Sequence, residues 1–130
     1  MSTSLTKESL KELLDSNKRE KYIKEICQYL DNRIKSWLLN KKFDYLYVET
    51  MTYSNETRSS YKNEFYKLWE MEDLSKESRK AVRNKIEEIY SEFFDVKDTT
   101  VDIGMHQVCD AIKFQLNSDK LYWIYNNFLF

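Results

Sequence analysis

The sequence predicts one α+β domain in which several amphipathic helices pack on a small antiparallel sheet of about three strands, and three observations carry that prediction. Apolar side chains recur at steps of three and four between residues 22 and 38 and again between 82 and 93, the period of a helix with one buried face. The stretch FDYLYVETMTY, residues 43–53, concentrates β-branched and aromatic side chains in the alternation of a half-buried strand. Later, AIKFQL, NSDK and LYWIY follow one another as strand, four-residue turn and strand. A chain of 130 residues is the size of one domain around one core, so residues 1–130 are read as a single unit.

Each element has its own signal. Thr6, preceded by Leu5 and followed by Leu10, fits an N-cap inside a hydrophobic staple, so a first short helix carrying Leu10, Leu13 and Leu14 is expected to start there. Asp15-Ser16-Asn17 should interrupt it, since these side chains compete with the backbone for hydrogen bonds. Tyr22, Ile26, Tyr29, Leu30, Ile34, Trp37 and Leu38 then share one face of a long helix.

Phe43, Tyr45, Tyr47, Met51 and Tyr53 line one face of the next element if it is a strand. A helical reading through Phe43, Leu46, Tyr47, Thr50 and Met51 gives the competing architecture, an all-α bundle. Ser54-Asn55 caps a helix with Tyr61, Phe65, Leu68 and Trp69, and Leu74-Ser75 starts another with Val82, Ile86, Ile89, Tyr90 and Phe93. Thr99-x-x-Asp102 has the form of a capping box, predicting a short helix over 100–110, although TTVDIGM also alternates as a strand would. The hairpin at 111–125 supplies a ladder partner for the strand at 43–53, which favours the sheet over the bundle.

Composition narrows the function classes. Twenty-one Lys and Arg against twenty-two Asp and Glu leave a formal charge of -1, so no global field draws the chain to nucleic acid or anionic lipid. No window holds the roughly 20 apolar residues of a membrane span, and no membrane association is expected. Two cysteines behind a polar N-terminal stretch, MSTSLTKESLKELL, predict free thiols in a reducing, intracellular (cytoplasmic) setting. One glycine and no proline exclude glycine-rich phosphate loops and dinucleotide-binding turns on backbone grounds. No cofactor is called for.

Side-chain chemistry offers little catalytic pattern. His106 is the single histidine, which removes multi-histidine metal sites and most nucleophile–base schemes. It stands near Cys109, between Asp102 and Asp110, at a spacing that ordinary packing explains as well. Glu49, with Asp44 and Lys41-Lys42 nearby, is the position to inspect for a carboxylate-metal hydrolase, which needs two or three acids converging in one cleft. Solvated helical ion pairs are the plainer reading of the other acids. No catalytic, metal or cofactor residue is assigned.

Binding has more support. Lys76, Arg79, Lys80 and Arg83 form a basic stripe near a helix start, where the macrodipole disfavours positive charge, and would be the contacts of a nucleic-acid-binding module. The aromatic load, ten Tyr, seven Phe and three Trp, exceeds what one small core hides, and aromatics dominate binding hot spots. Tyr45, Tyr47, Tyr53 and Tyr125 are therefore candidate partner contacts. So are Phe128, Leu129 and Phe130, apolar residues that close the sequence and that either seal the core or anchor a second subunit or another protein. The reading that results is a small non-enzymatic protein that binds another protein. Its Lys-, Asn- and Tyr-rich, proline-free composition fits an AT-rich genome and a phage or viral accessory protein that inhibits, or assembles with, a host or virion component.

Overall fold

The computed structural model describes residues 6–40, 44–50, 64–104 and 107–120. Within them the chain forms α1 (Lys7–Leu39), β1 (Tyr45–Glu49), α2 (Glu64–Glu70), α3 (Lys76–Ser91), β2 (Phe94–Gly104), β3 (Gln107–Leu116) and a 3-10 turn (Ser118–Lys120). The architecture is α+β, with the three helices on one face of a three-stranded antiparallel sheet of order β1-β3-β2.

α1 starts where the sequence says it should. Thr6 is its N-cap: the Ser9 N–H donates to Thr6 Oγ1 at 3.1 Å, and the Thr6 N–H donates to Ser9 Oγ at 2.8 Å, which satisfies two otherwise orphaned donors. The expected interruption at residues 15–17 does not occur, and α1 runs for 33 residues, about 50 Å at 1.5 Å per residue. Asp15 is held instead by a tertiary and a helical partner, accepting from Ser78 Oγ of α3 at 2.8 Å and pairing with Arg19 Nε, four residues on, at 3.0 Å. Only Ile26, Leu30, Ile34 and Leu38 of α1 are buried, so the helix docks through its second half and overhangs through its first.

α3 is capped by Ser75, whose Oγ accepts from the Ser78 N–H at 3.2 Å. It buries Val82, Ile86 and Tyr90. Between α2 and α3, Met71 takes a positive φ of 49°, a conformation usually left to glycine because a Cβ costs about 1–2 kcal/mol there. The chain has one glycine, at position 104, and Met71 offsets the cost by burying its side chain completely.

The region expected to be helical at 100–110 is strand in its described part. β2 and β3 form a long antiparallel ladder from Phe94↔Leu116 to Gly104↔Gln107, with an irregularity between Asp102 and Gly104. Cys109 is buried as expected, but on a strand. AIKFQL is strand too, yet its hairpin partner is β2, and β1 occupies its other edge from Tyr45↔Gln115 to Glu49↔Ala111. LYWIY, expected as the partner strand, lies outside the described residues. The helix expected from Asn55 is described only from Glu64 onward.

Leu46, Val48, Ile112, Phe114, Phe94 and Val96 share the helix-facing side of the sheet, by register and by membership of the core cluster. Aromatic rings join the layers: Tyr90 and Phe94 meet Phe114 edge-on at 5.6 and 6.1 Å, and Tyr29 stacks on Phe65 at 4.7 Å. Such contacts add about 0.5–1.5 kcal/mol each beyond area burial. Further pins fix α1 against the rest. The Tyr90 hydroxyl donates to Asp31 at 2.6 Å and lies 3.0 Å from the Cys27 carbonyl, and the Tyr22 hydroxyl donates to Asp73.

These pins give stability a pH dependence. The Tyr22 hydroxyl, chiefly, holds the Asp73 carboxyl below its ordinary value, so that stabilisation is present above about pH 4 and is lost as pH falls through the folded value. The same bond pushes Tyr22 up to about 12. Burial, then the bond to Asp31, raises Tyr90 well above the ordinary tyrosine range. A raised tyrosine stabilises fully below about pH 10 and less as pH climbs through its folded value. Screening weakens the exposed Tyr22–Asp73 pair, so Tyr90 dominates the alkaline flank. Urea midpoints measured against pH will fall above about pH 10, and Tyr90→Phe will remove most of that fall. An unchanged alkaline slope in the variant would show that the hydroxyl is not held as described.

Candidate functional site

The helix-facing side of the sheet is apolar for only part of its length. On β1, Leu46 and Val48 are followed by Thr50; on β3, Phe114 and Ile112 give way to Asp110; on β2, Phe94 and Val96 give way to Asp98, Thr100 and Asp102. The change comes first on β2, where Asp98 pairs with Ile112, and reaches the other strands one level on, where Thr100 pairs with Asp110, whose carbonyl accepts from the Thr50 N–H at 2.8 Å. Asp110 thus puts an exposed carboxylate on the central strand, where strand preference disfavours it.

Across from this polar end stand α2 and α3. The α3 face that buries Val82, Ile86 and Tyr90 continues toward the helix start through Arg83 and Arg79, at helical spacing. Arg83 is half-buried: its Nη2 donates to the Trp69 carbonyl at 2.8 Å, and its guanidinium lies 5.4 Å from the Trp69 ring centre, a cation–π distance. Burial, with Arg79 adjacent, lowers its pKa, while Asp98 and Glu70 oppose that shift. A cleft of about 420 Å³ opens between the two walls, and the described residues that line it include Thr50, Trp69, Arg83, Asp98, Thr100 and Asp110. That volume is within the usual range of ligand pockets, about 300–1,000 Å³.

The basic stripe read from sequence is therefore divided. Lys76 and Lys80 are exposed, whereas Arg79 and Arg83 are half-buried toward the sheet. Tyr45 and Tyr47 lie on the sheet face away from the helices, rings 5.3 Å apart, with Lys113 Nζ 5.3 and 5.8 Å from their centres. Glu49 shares that face by alternation, while Asp44 precedes the strand. Among the described residues no group of three His, Cys, Asp or Glu is arranged to hold a metal ion. Tyr53, His106, Tyr125, Phe128, Leu129 and Phe130 lie outside the described residues. Cys27 and Cys109 are not in disulfides, and burial raises the Cys27 thiol, which makes it a poor nucleophile. No helix among the described residues is long and apolar enough to cross a membrane.

One surface was missed by the sequence reading. Leu10, Leu13 and Leu14 are 45, 52 and 53% exposed, on the overhanging half of α1. At 100° per residue they centre about 130° around the helix from the stripe of Ile26, Leu30, Ile34 and Leu38. Extending the phase of that stripe back through residues 15–17 reveals this; treating 6–14 as a separate helix hides it. Comparison with protein-family models, curated proteins and solved structures finds no match to the chain.

Proposed function

We propose that this chain is a non-enzymatic protein that acts by binding another protein. The observation that carries the reading is the leucine face of α1: three adjacent leucines turned away from the core, on turns that the fold does not use for burial. Adjacent exposed apolar side chains on a soluble domain mark interaction surfaces more often than chance. The tyrosines at 45 and 47 offer aromatic contacts of the kind found in hot spots. The AT-rich style of composition supports placing the protein among intracellular phage or viral accessory proteins that inhibit, or assemble with, a host or virion component.

Leu13→Lys tests this. The residue is half-exposed on an overhang, so folding will be unaffected, as far-UV circular dichroism and a urea midpoint will check. Wild-type bait in nuclease-treated extract will retain one stoichiometric protein, identified by mass spectrometry, and the variant will lose it. Retention of the same partner by both baits takes the leucine face out of the interaction. A change in the protein's own size in solution on substitution would make the partner a second copy of the chain. No partner for either bait overturns the binding reading.

A further inference from the structure

The cleft at the polar end of the sheet has a chemistry that the leucine face lacks. We propose that it receives a lysine or arginine side chain of the bound partner. This rests on the protein-binding reading and specifies a second contact for it.

Three observations select a cationic group. First, the helix-facing side turns polar at neighbouring levels, Asp98 opposite Ile112 and Thr100 opposite Asp110, and the Asp98 and Asp110 carboxylates line the cleft without a hydrogen bond or ion pair among the described residues, Asp98 feeling only the charge of Arg83. Second, Arg83, the one cation lining the cleft among the described residues, is already engaged through its donor to the Trp69 carbonyl and its place over the Trp69 ring. Among the described residues the lining therefore carries two carboxylates against one guanidinium held to the wall, and an incoming ammonium or guanidinium completes the balance. Third, the cleft pairs these charges with an indole and threonine methyl groups. A long basic side chain matches that combination, because its methylene stem packs on apolar surface while its head reaches the carboxylates.

An anion is the rival. The Nε atoms of Arg79 and Arg83 are shielded from solvent and have no acceptor among the described residues. Such an anion would have to sit against Asp98 and Asp110, whose repulsion in a half-enclosed cleft opposes it. Arg79 also does not line the cleft among the described residues, so the two guanidinium groups do not converge there.

The experiment is a titration of the full ¹⁵N-labelled chain with two end-blocked peptides, Gly-Arg-Gly and Gly-Glu-Gly, followed by amide and indole shifts. Saturable shifts are expected with the arginine peptide at Thr50, Thr100, Asp110 and the Trp69 indole. They should weaken as salt is raised, and the affinity should fall at least tenfold in Asp98→Asn/Asp110→Asn. These replacements keep side-chain shape at exposed positions, and unchanged shifts elsewhere will confirm the fold. Binding of the glutamate peptide instead, no saturable shift with either peptide, or an undiminished arginine response in the double variant would each overturn the proposal. The peptides address the cleft alone: if they fail while Leu13→Lys still abolishes partner capture, only the cleft assignment falls. If the arginine peptide binds while no protein is captured, the cleft's chemistry stands and the protein-binding reading is what fails.

Discussion

Phe114→Ala will lower the unfolding free energy by about 3–5 kcal/mol, the range for truncating a buried phenylalanine. Phe114 is fully buried on the central strand, between Leu46 of β1 and Val96 of β2. Its ring is met edge-on by Tyr90 from α3 and by Phe94 from β2. The cost should approach the upper end because the site resists collapse. The strands on either side are held in register by their ladders, and Tyr90 is tied to α1 through Asp31, so no wall is free to move into the space. Domains of this size have about 5–15 kcal/mol in total, and the variant therefore loses a large part of its stability. Urea unfolding will show a lower midpoint with an unchanged m-value. A loss below about 1.5 kcal/mol, a size typical of volume-conserving core changes, would mean that the helix layer closes over the cavity and is not fixed as described. Tyr45→Ala, at an exposed position of the same sheet, will stay within about 0.5 kcal/mol of wild type.

What the sequence made legible followed from local period and capping, and what it hid depended on distant partners. The stripe from Tyr22 to Leu38 and the caps at Thr6 and Ser75 needed only neighbouring residues. Asp15-Ser16-Asn17 looked like a break because such side chains usually turn back on the local backbone. In the fold Asp15 is engaged by Ser78, 63 residues away, and no local rule predicts that. Residues 99–104 and 107–110 satisfied a helical capping pattern and a strand alternation at once, and the ladder between β2 and β3 decided between them. The strand AIKFQL was legible, but its partner was not, since pairing order is a property of the whole sheet. The candidate cleft suffered from the same miss: Asp110 has meaning only once it faces Thr100 across a ladder. The basic stripe shows the finer limit. Lys76, Arg79, Lys80 and Arg83 look continuous on a wheel, but Val82, Ile86 and Tyr90 set which way α3 faces, and that turns the two arginines inward.

The continuity of α1 leads to the second large effect. Lys24→Pro will destabilise the fold by about 3 kcal/mol or more, although Lys24 is exposed. Proline removes the bond to the carbonyl four residues earlier and clashes with that carbonyl. Relief by unwinding is closed off here, because Tyr22 and Ile26 on either side are both held, one by Asp73 and the other by complete burial. Asn17→Pro makes the same chemical change with a different result. The turns before residue 17 are tied to the rest chiefly through Asp15, and their leucines are exposed, so the chain can release them at the cost of about one hydrogen bond's net stabilisation, roughly 1 kcal/mol. Far-UV circular dichroism will then show a loss of helix with little change in the urea midpoint, whereas Lys24→Pro will move the midpoint strongly. The pair also bears on function: Asn17→Pro removes the ordered leucine face from a folded protein, so partner capture should vanish while stability remains. Equal midpoints for the two proline variants would show that α1 is not one continuous docked helix, and the leucine face would then lose the fixed geometry on which its role rests.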